Sequence, residues 1–339
     1  MNRNYGKRII PVAAGLIIAL LLFLLLGLCS GSVSVGLTDL WQIFFGSNQD
    51  EVKRQIIMEL RLPRCLMAVI LGGALSLSGL LLQSFFENPI AGPFVLGISS
   101  GAKLSVAVVL ILSLKMDFSL SSPGMILAAF AGALLTVGIL IPVARRLSGS
   151  ASLLVAGIMI GYICSAVTEL IINISDDQNV VSLHNWSMGS FSGTQWEHVG
   201  IAACVVFPLL ILAVFLAKPM QAYYLGETVA ESLGVNLRLF RILLVVTASL
   251  LAATVTAFAG PVSFVGIAVP FLIRRLSGTE RTRVIIPLSF LGGAVFCLLA
   301  DLLSRILLAP TELSLGVVTS LMGAPVVIVM IFMRQRRRA

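Results

Sequence analysis

Charged side chains are scarce in this chain: Asp, Glu, Lys and Arg make up 11% of its 339 residues, against about 25% in an ordinary soluble domain. Histidine occurs twice and cysteine five times, and neither recurs at the spacing that metal ligands need. Apolar residues, in contrast, make up 58% of the chain, and the mean hydropathy is +1.05. This composition excludes a soluble globular domain and predicts an all-α membrane protein.

Signatures of catalysis are also missing from the sequence. The run from Gly97 to Lys103 is not a nucleotide-binding loop, because Ala102 separates Gly101 from the lysine and the run lies in apolar sequence. An intramembrane enzyme would need a nucleophile with a base, or a metal cluster, and neither pattern is found. We therefore expect a protein without catalytic residues, cofactors or bound metal.

Apolar runs of about 20 residues, the length that crosses about 30 Å of hydrocarbon as a helix, recur along the chain. We predict ten membrane-spanning helices, at 9–29, 62–83, 94–114, 124–144, 152–174, 198–217, 239–259, 261–274, 284–308 and 315–333. The eighth is short and contains Pro261 and Pro270, so we expect an irregular or partly re-entrant start. The whole chain, 1–339, is predicted to be one transmembrane domain.

Lys and Arg residues are distributed unevenly between the two sides of these predicted spans. Most of them fall on the side that holds both termini, and Lys103 lies within a span. Because cytoplasmic loops retain an excess of Lys and Arg, both termini are predicted to be cytoplasmic. The net charge of +8 then reflects topology, and no nucleic-acid partner is expected.

Two stretches of the chain resemble each other. Arg61-Leu-Pro-Arg64 precedes an apolar run and Ala91-Gly92-Pro93, while Arg238-Leu-Phe-Arg241 precedes an apolar run and Ala259-Gly260-Pro261. The two units lie five spans apart and enter the membrane from opposite sides, which predicts two inverted five-helix repeats. The predicted repeats are about 1–174 and 198–339, joined by an extracytoplasmic loop at 175–197.

Several longer sequence blocks occur together and in order. They are RLPR (61–64), SGLLLQSFFENPIAGPFVLGISSGA (78–102), NWSMGS (185–190), LGETVAESLGV (225–235), AGPVSFVGIAVPFLIR (259–274), ADLLSR (300–305) and ELSLGVVTSLMGAP (312–325). With these blocks the chain resembles, over nearly its whole length, the permease subunits of ABC importers for iron-siderophore complexes, haem and cobalamin. Phe271 and Ser314 depart from the family pattern, which usually has histidine and proline there.

This resemblance implies a ten-helix permease in a bacterial cell membrane, paired with a second copy of itself or a homologous permease. The implied partners are two cytoplasmic ATPase subunits, an extracytoplasmic substrate-binding protein and a metal chelate as substrate. A ferric siderophore is the expected chelate because that class is the commonest in the family, with haem or cobalamin as the alternative. An ion-coupled secondary transporter is the alternative from another class, but it should carry paired ionisable groups near the membrane midplane.

A short amphipathic helix is predicted within the cytoplasmic loop Lys218 to Asn236. Its apolar stripe repeats at i, i+4 and i+8, its acidic residues lie on another face, and glycines lie near its ends. By itself the pattern equally fits a helix that rests on the membrane or on its own subunit. The resemblance implies a coupling loop that docks on the ATPase through Leu225, Gly226, Glu227, Val229, Ala230, Glu231, Leu233 and Gly234.

Three arginines on the outer side, Arg61, Arg64 and Arg305, run against the positive-inside bias. All three are predicted to dock an acidic binding protein, since the guanidinium fork suits carboxylates. The resemblance implies that glutamates of the binding protein meet Arg61 and Arg305. The alternative is local pairing, with Arg305 held by Asp301 four residues earlier on a helix. Arg64 fits local pairing better than Arg61 does.

Four residues are candidates for the transport pathway or its gate. Ser148, Ser150 and Ser152 match the region where the family closes its cytoplasmic end, although polar residues are also ordinary in a short turn. Glu169 lies toward the outer end of the fifth predicted span. A hydrated position at the membrane interface is favoured for Glu169, and a place on the pathway wall is the alternative.

Overall fold

The computed structural model describes residues 6–31, 33, 35–46, 50–115, 122–146, 150–175 and 177–335. These residues form helices joined by short connections, and no strand occurs among them, as the all-α prediction requires. The helices are α1 Gly6–Cys29, α2 Leu37–Phe45, α3 Glu51–Gln55, a π-helical turn Ile56–Arg61, α4 Leu62–Phe85, a 3-10 turn Pro93–Leu96, α5 Ile98–Lys115, α6 Ser122–Arg146, α7 Ser150–Asn173, α8 Asp177–Ser187, α9 Trp196–Tyr223, α10 Glu227–Ser232, α11 Leu237–Ala259, α12 Val265–Ser277, α13 Thr282–Ile306 and α14 Leu315–Gln335.

Eight helices in the described ranges are long and apolar enough to cross a membrane, and each overlaps a predicted span. They are α1, α4, α6, α7, α9, α11, α13 and α14. The other two predicted spans overlap α5, whose apolar part is Ile98–Ser113, and α12, which has 13 residues. At 1.5 Å per residue α12 rises about 20 Å, less than the hydrocarbon thickness of about 30 Å. Ten crossings therefore stay a prediction.

Helix α4 forms the centre of the molecule and packs against α13, α11, α12 and α9. Most of its residues are buried, which fits a helix that is apolar on all sides. Small residues allow the close approach: a Cβ added at Gly72 would lie 2.5 Å from the Gly293 carbonyl oxygen in α13. A Cβ at Gly79 would overlap the carbonyl oxygen of Gly266 in α12. Larger side chains at these positions would force the helices apart.

The two Ala-Gly-Pro sequences are followed by interrupted backbone rather than by continuous helix. After Gly92 the chain forms a 3-10 turn before α5, and after Gly260 an irregular segment precedes α12. Phe264, with φ +64°, is the last residue before α12, so the predicted irregular start of the eighth span is confirmed. The two interruptions also meet, since a Cβ on Gly266 would lie 3.0 Å from Pro93 Cδ. The inverted repeat itself stays a prediction.

Helix termini meet at two ends of the molecule. At one end the C-termini of α4 and α9 and the segment between α12 and α13 line one cavity, and Arg275, Arg281 and Arg283 are exposed there. We call this the basic end. At the opposite end the C-terminus of α1, the N-terminus of α4 and the C-terminus of α13 are joined by hydrogen bonds of Arg61, Arg64 and Arg305.

Helices α2, α3 and α8 lie between the predicted spans, where the sequence analysis predicted no helix. Helix α2 buries Leu40 and Ile43 and exposes Trp41 and Phe45, whose ring centroids lie 4.6 Å apart. This is the pattern of a helix that rests at a membrane surface, where tryptophan is enriched.

Candidate functional site

Arg64 lies in the first turn of α4, at the end of the molecule opposite the basic end, and it has two carboxylate partners there. Its Nε donates to Asp301 Oδ1 at 2.8 Å, and its two terminal nitrogens donate to the two oxygens of Glu312 at 3.0 Å each. The second contact is the bidentate geometry that suits a guanidinium. Asp301 is 1% exposed, so Arg64 neutralises a buried charge and links α4 to α13 and to the α13–α14 connection.

Arg305 takes part in the same cluster. Its Nη2 lies 3.1 Å from Asp301 Oδ2, so the local ion pair considered from the sequence is present. Its Nη1 also donates to the carbonyl oxygens of Gly27 at 3.0 Å and Ser30 at 3.1 Å. Arg305 thus joins α13 to the C-terminus of α1.

Within the described part of the chain, Arg61 forms hydrogen bonds only to main-chain oxygens. Its Nη1 donates to Leu28 at 2.6 Å and Cys29 at 3.0 Å, and its Nη2 donates to Val33. No carboxylate pairs with Arg61 among the residues that the structure describes. Together with Arg305 it caps the last carbonyl groups of α1, where the helix dipole favours a cation. In this conformation the three guanidinium groups bond within the chain, and their docking role stays a prediction.

The short helix expected in the cytoplasmic loop is α10, at the basic end. Gly226 precedes it with φ +106° and Gly234 follows it with φ +82°, backbone conformations that favour glycine. Ala230 is fully buried and holds the helix against the body of the protein. Glu227 anchors it further, because its carboxylate accepts a hydrogen bond from Tyr223 Oη at 3.2 Å and pairs with Arg241.

The apolar stripe predicted for this loop is exposed on the surface of the protein. Leu225, Val229 and Leu233 are 66%, 44% and 63% exposed. Glu231 is exposed beside them. Three large apolar side chains exposed on a loop beyond the membrane-spanning helices form a candidate docking surface, and its docking role stays a prediction.

Three of the four candidate gate residues, Ser150, Ser152 and Glu169, lie on α7. Ser148 lies outside the described residues, Ser150 is the first residue of α7, and Ser152 is half-buried. Glu169 is exposed about one turn before the end of this apolar helix. An ionisable group in a spanning helix is expensive unless it meets water or a partner. A role in the pathway or gate stays a prediction for all four.

A cavity of about 590 Å³ lies at the basic end and was not predicted from the sequence. Its walls come from the C-terminal parts of α4 and α9 and from the segment between α12 and α13, and Leu225 of the loop reaches its rim. No local sequence pattern could have revealed it, because the walls are far apart in the chain and meet only through helix packing.

The model of the FecCD transport family matches residues 19–333. The chain belongs to this family. It is 35% identical to the hemin transport system permease protein HmuU of Yersinia pestis over 326 residues, covering 96% of this chain and 97% of HmuU. It is 36% identical to the vitamin B12 import system permease protein BtuC of Yersinia enterocolitica over 317 residues, covering 93% of this chain and 90% of BtuC.

The fold agrees with that assignment. A solved structure described as a metal-chelate type ABC transporter in an inward-facing conformation superposes with a TM-score of 0.82 at 28% identity, covering 94% of this chain and 97% of the other. The chain is therefore a permease of a FecCD-family ABC importer and a multi-pass protein of the bacterial inner membrane. A permease of this kind works with ATPase and substrate-binding partners.

Proposed function

We propose that this permease imports an intact metal chelate by alternating access, with two permease copies around the pathway. ATPase subunits bind the basic end, which faces the cytoplasm, and a substrate-binding protein docks at the opposite end. The observation that carries the proposal is the exposed stripe of Leu225, Val229 and Leu233, because Leu225 lines the same cavity as Arg274 and Arg281. Such a stripe suits docking on an ATPase. The ATPase cycle can shift the permease between its two conformations only if the contacts between ATPase and permease differ between those conformations.

A ferric siderophore is the proposed substrate, with haem or cobalamin as the alternative. Relatives named for hemin and for vitamin B12 are almost equally similar to this chain, at 35% and 36% identity, so identity does not rank those two substrates. Titrating the cognate binding protein with a ferric siderophore, hemin and cobalamin separates the candidates. Tight binding of hemin or cobalamin without binding of the siderophore would contradict our choice.

Ten crossings in two inverted repeats, with both termini in the cytoplasm, belong to the same proposal. Its support is that α5 and α12, the two shortest helices at predicted spans, each follow an Ala-Gly-Pro sequence and lie at the third position of their predicted repeat. The ion-coupled secondary transporter is set aside, because the family consists of ABC importers.

The coupling loop supplies the experiment. Replacing Val229 and Leu233 with Asp should abolish association with the ATPase that co-purifies with the native permease, since the apolar surface is lost while the spanning helices are untouched. Thr228→Asp is the matched control, because Thr228 lies on the same exposed helix outside the stripe and an acid is favourable in the first turn. ATPase association and ATP-driven uptake in proteoliposomes are the readouts. Normal values for both in the double variant would show that the stripe does not couple.

A further inference from the structure

We infer that the cavity at the basic end is a second contact surface for the ATPase partner and receives a polar segment of that subunit. This inference rests on the proposed function, since it requires an ATPase at the basic end. The proposed contact surface extends beyond the coupling loop, because the walls of the cavity also come from α4 and the α12–α13 connection. At about 590 Å³ the cavity is within the range of protein sites that bind a ligand group or several side chains.

Two buried side chains in the cavity wall carry polar atoms that lack a hydrogen bond. Gln83 is 3% exposed; its Nε2 donates to the carbonyl oxygens of Gly266 at 3.2 Å and Ile267 at 3.3 Å, but its Oε1 has no partner in the described part of the chain. Thr282, at the start of α13, is 2% exposed, and its Oγ1 likewise has no partner there. An unpaired buried polar atom costs free energy, so a ligand that supplies the missing hydrogen bonds is favoured.

The charged side chains that line the cavity indicate what kind of ligand fits. Glu87, Arg274, Glu280 and Arg281 all line it, and none of them forms an ion pair within the described residues. A phosphate or an anionic lipid headgroup would meet two carboxylates here as well as two guanidinium groups. Charges of both signs fit a protein segment that itself carries polar and charged side chains, including an N–H or O–H donor for Gln83 Oε1.

The position of the cavity selects the partner. Leu225 belongs both to the cavity rim and to the exposed apolar stripe of the coupling loop. A subunit that covers the stripe therefore lies against the mouth of the cavity. The two surfaces together would place the ATPase against α4, the most buried helix of the permease, as well as against α10.

Site-specific photo-crosslinking tests the position. A photoreactive residue placed at Glu87 or Glu280, both exposed on the cavity rim, should cross-link to the co-purifying ATPase in membranes. Leu233, on the stripe but outside the cavity, reports on the coupling loop alone. Cross-links from Leu233 without cross-links from Glu87 and Glu280 would overturn this inference and leave the proposed function standing. Failure at all three positions would overturn both, and capture of lipid alone from the rim positions would assign the cavity to lipid.

Three substitutions test how much the cavity contributes to ATPase binding. Arg281→Glu should weaken ATPase binding at least tenfold, whereas Arg283→Glu, exposed two residues away and outside the cavity lining, should change it less than twofold. Thr282→Val removes the unpaired hydroxyl at nearly constant volume. It should weaken ATPase binding several-fold without lowering the thermal unfolding midpoint of the free permease, because no hydrogen bond to the described residues is lost. Equal affinities for the wild type, Arg281→Glu and Thr282→Val would exclude the cavity from the contact.

Discussion

Replacing Asp301 should be far more harmful than replacing Glu312, although both carboxylates pair with Arg64. Asp301 is 1% exposed and lies 2.8 Å from Arg64 Nε and 3.1 Å from Arg305 Nη2, whereas Glu312 is 45% exposed. Removing one partner from a buried ion pair costs about 3–5 kcal/mol because the other charge stays buried without compensation. An exposed ion pair typically contributes about 0.2–1 kcal/mol, and the bidentate geometry of Arg64 with Glu312 places this pair toward the upper end of that range.

The test uses Asp301→Asn and Glu312→Gln, which keep the side-chain shape and remove the charge. Because Asn keeps one acceptor oxygen, we expect a loss near the lower limit, about 3 kcal/mol, for Asp301→Asn and under about 1 kcal/mol for Glu312→Gln. The free energy of unfolding would be measured by denaturing-detergent titration in mixed micelles. Arg64→Gln combined with Asp301→Asn should lose less than the sum of the two single losses, because the variants share one contact. Equal losses for the two acidic variants, or strict additivity, would refute the argument from burial.

Three further predictions follow from contacts and surfaces described above. Arg61→Glu with Arg305→Glu should weaken binding-protein docking in a salt-dependent manner, while Arg54→Glu, exposed on the same side, should not. Asp301→Asn, which disturbs the same buried cluster without changing these arginines, is the control for misfolding. Unchanged docking affinity in the double variant would remove these arginines from the interface. Gly79→Ala should destabilise the permease by about 1–3 kcal/mol, since the new methyl overlaps Gly266, as thermal unfolding would show. Gly138→Ala, in open space on α6, should be neutral or stabilising by up to about 1 kcal/mol in the same measurement, and a large loss there would contradict the role given to close packing.

Local patterns in the sequence were sufficient to predict most helices. Apolar runs of about 20 residues located the eight long helices, and glycines flanking a short amphipathic pattern located α10. The contact between Arg305 and Asp301 was also within reach, because residues four apart on a helix are neighbours. Each of these predictions depends on residues close together in the chain.

Features that depend on distant residues were not predicted. Arg64 meets Glu312 across 248 positions, and Gln83 meets Gly266 across 183, which no periodicity reveals. Helix α2 was missed for a different reason: its nine residues bury one face, at Leu40 and Ile43, and are too few to give the hydropathy signal of a membrane span. The cavity beside Thr282 depends on how four chain segments pack, so its residues were invisible as a group.

The capping of α1 by Arg61 and Arg305 bears on how quickly a docked partner can leave. A carboxylate that reaches either guanidinium competes with main-chain carbonyl oxygens that already accept hydrogen bonds from it. Docking there would exchange one set of hydrogen bonds for another, so the net gain is smaller than for a free arginine. Such an exchange favours a short residence time, which suits a receptor surface that must be vacated after every delivery.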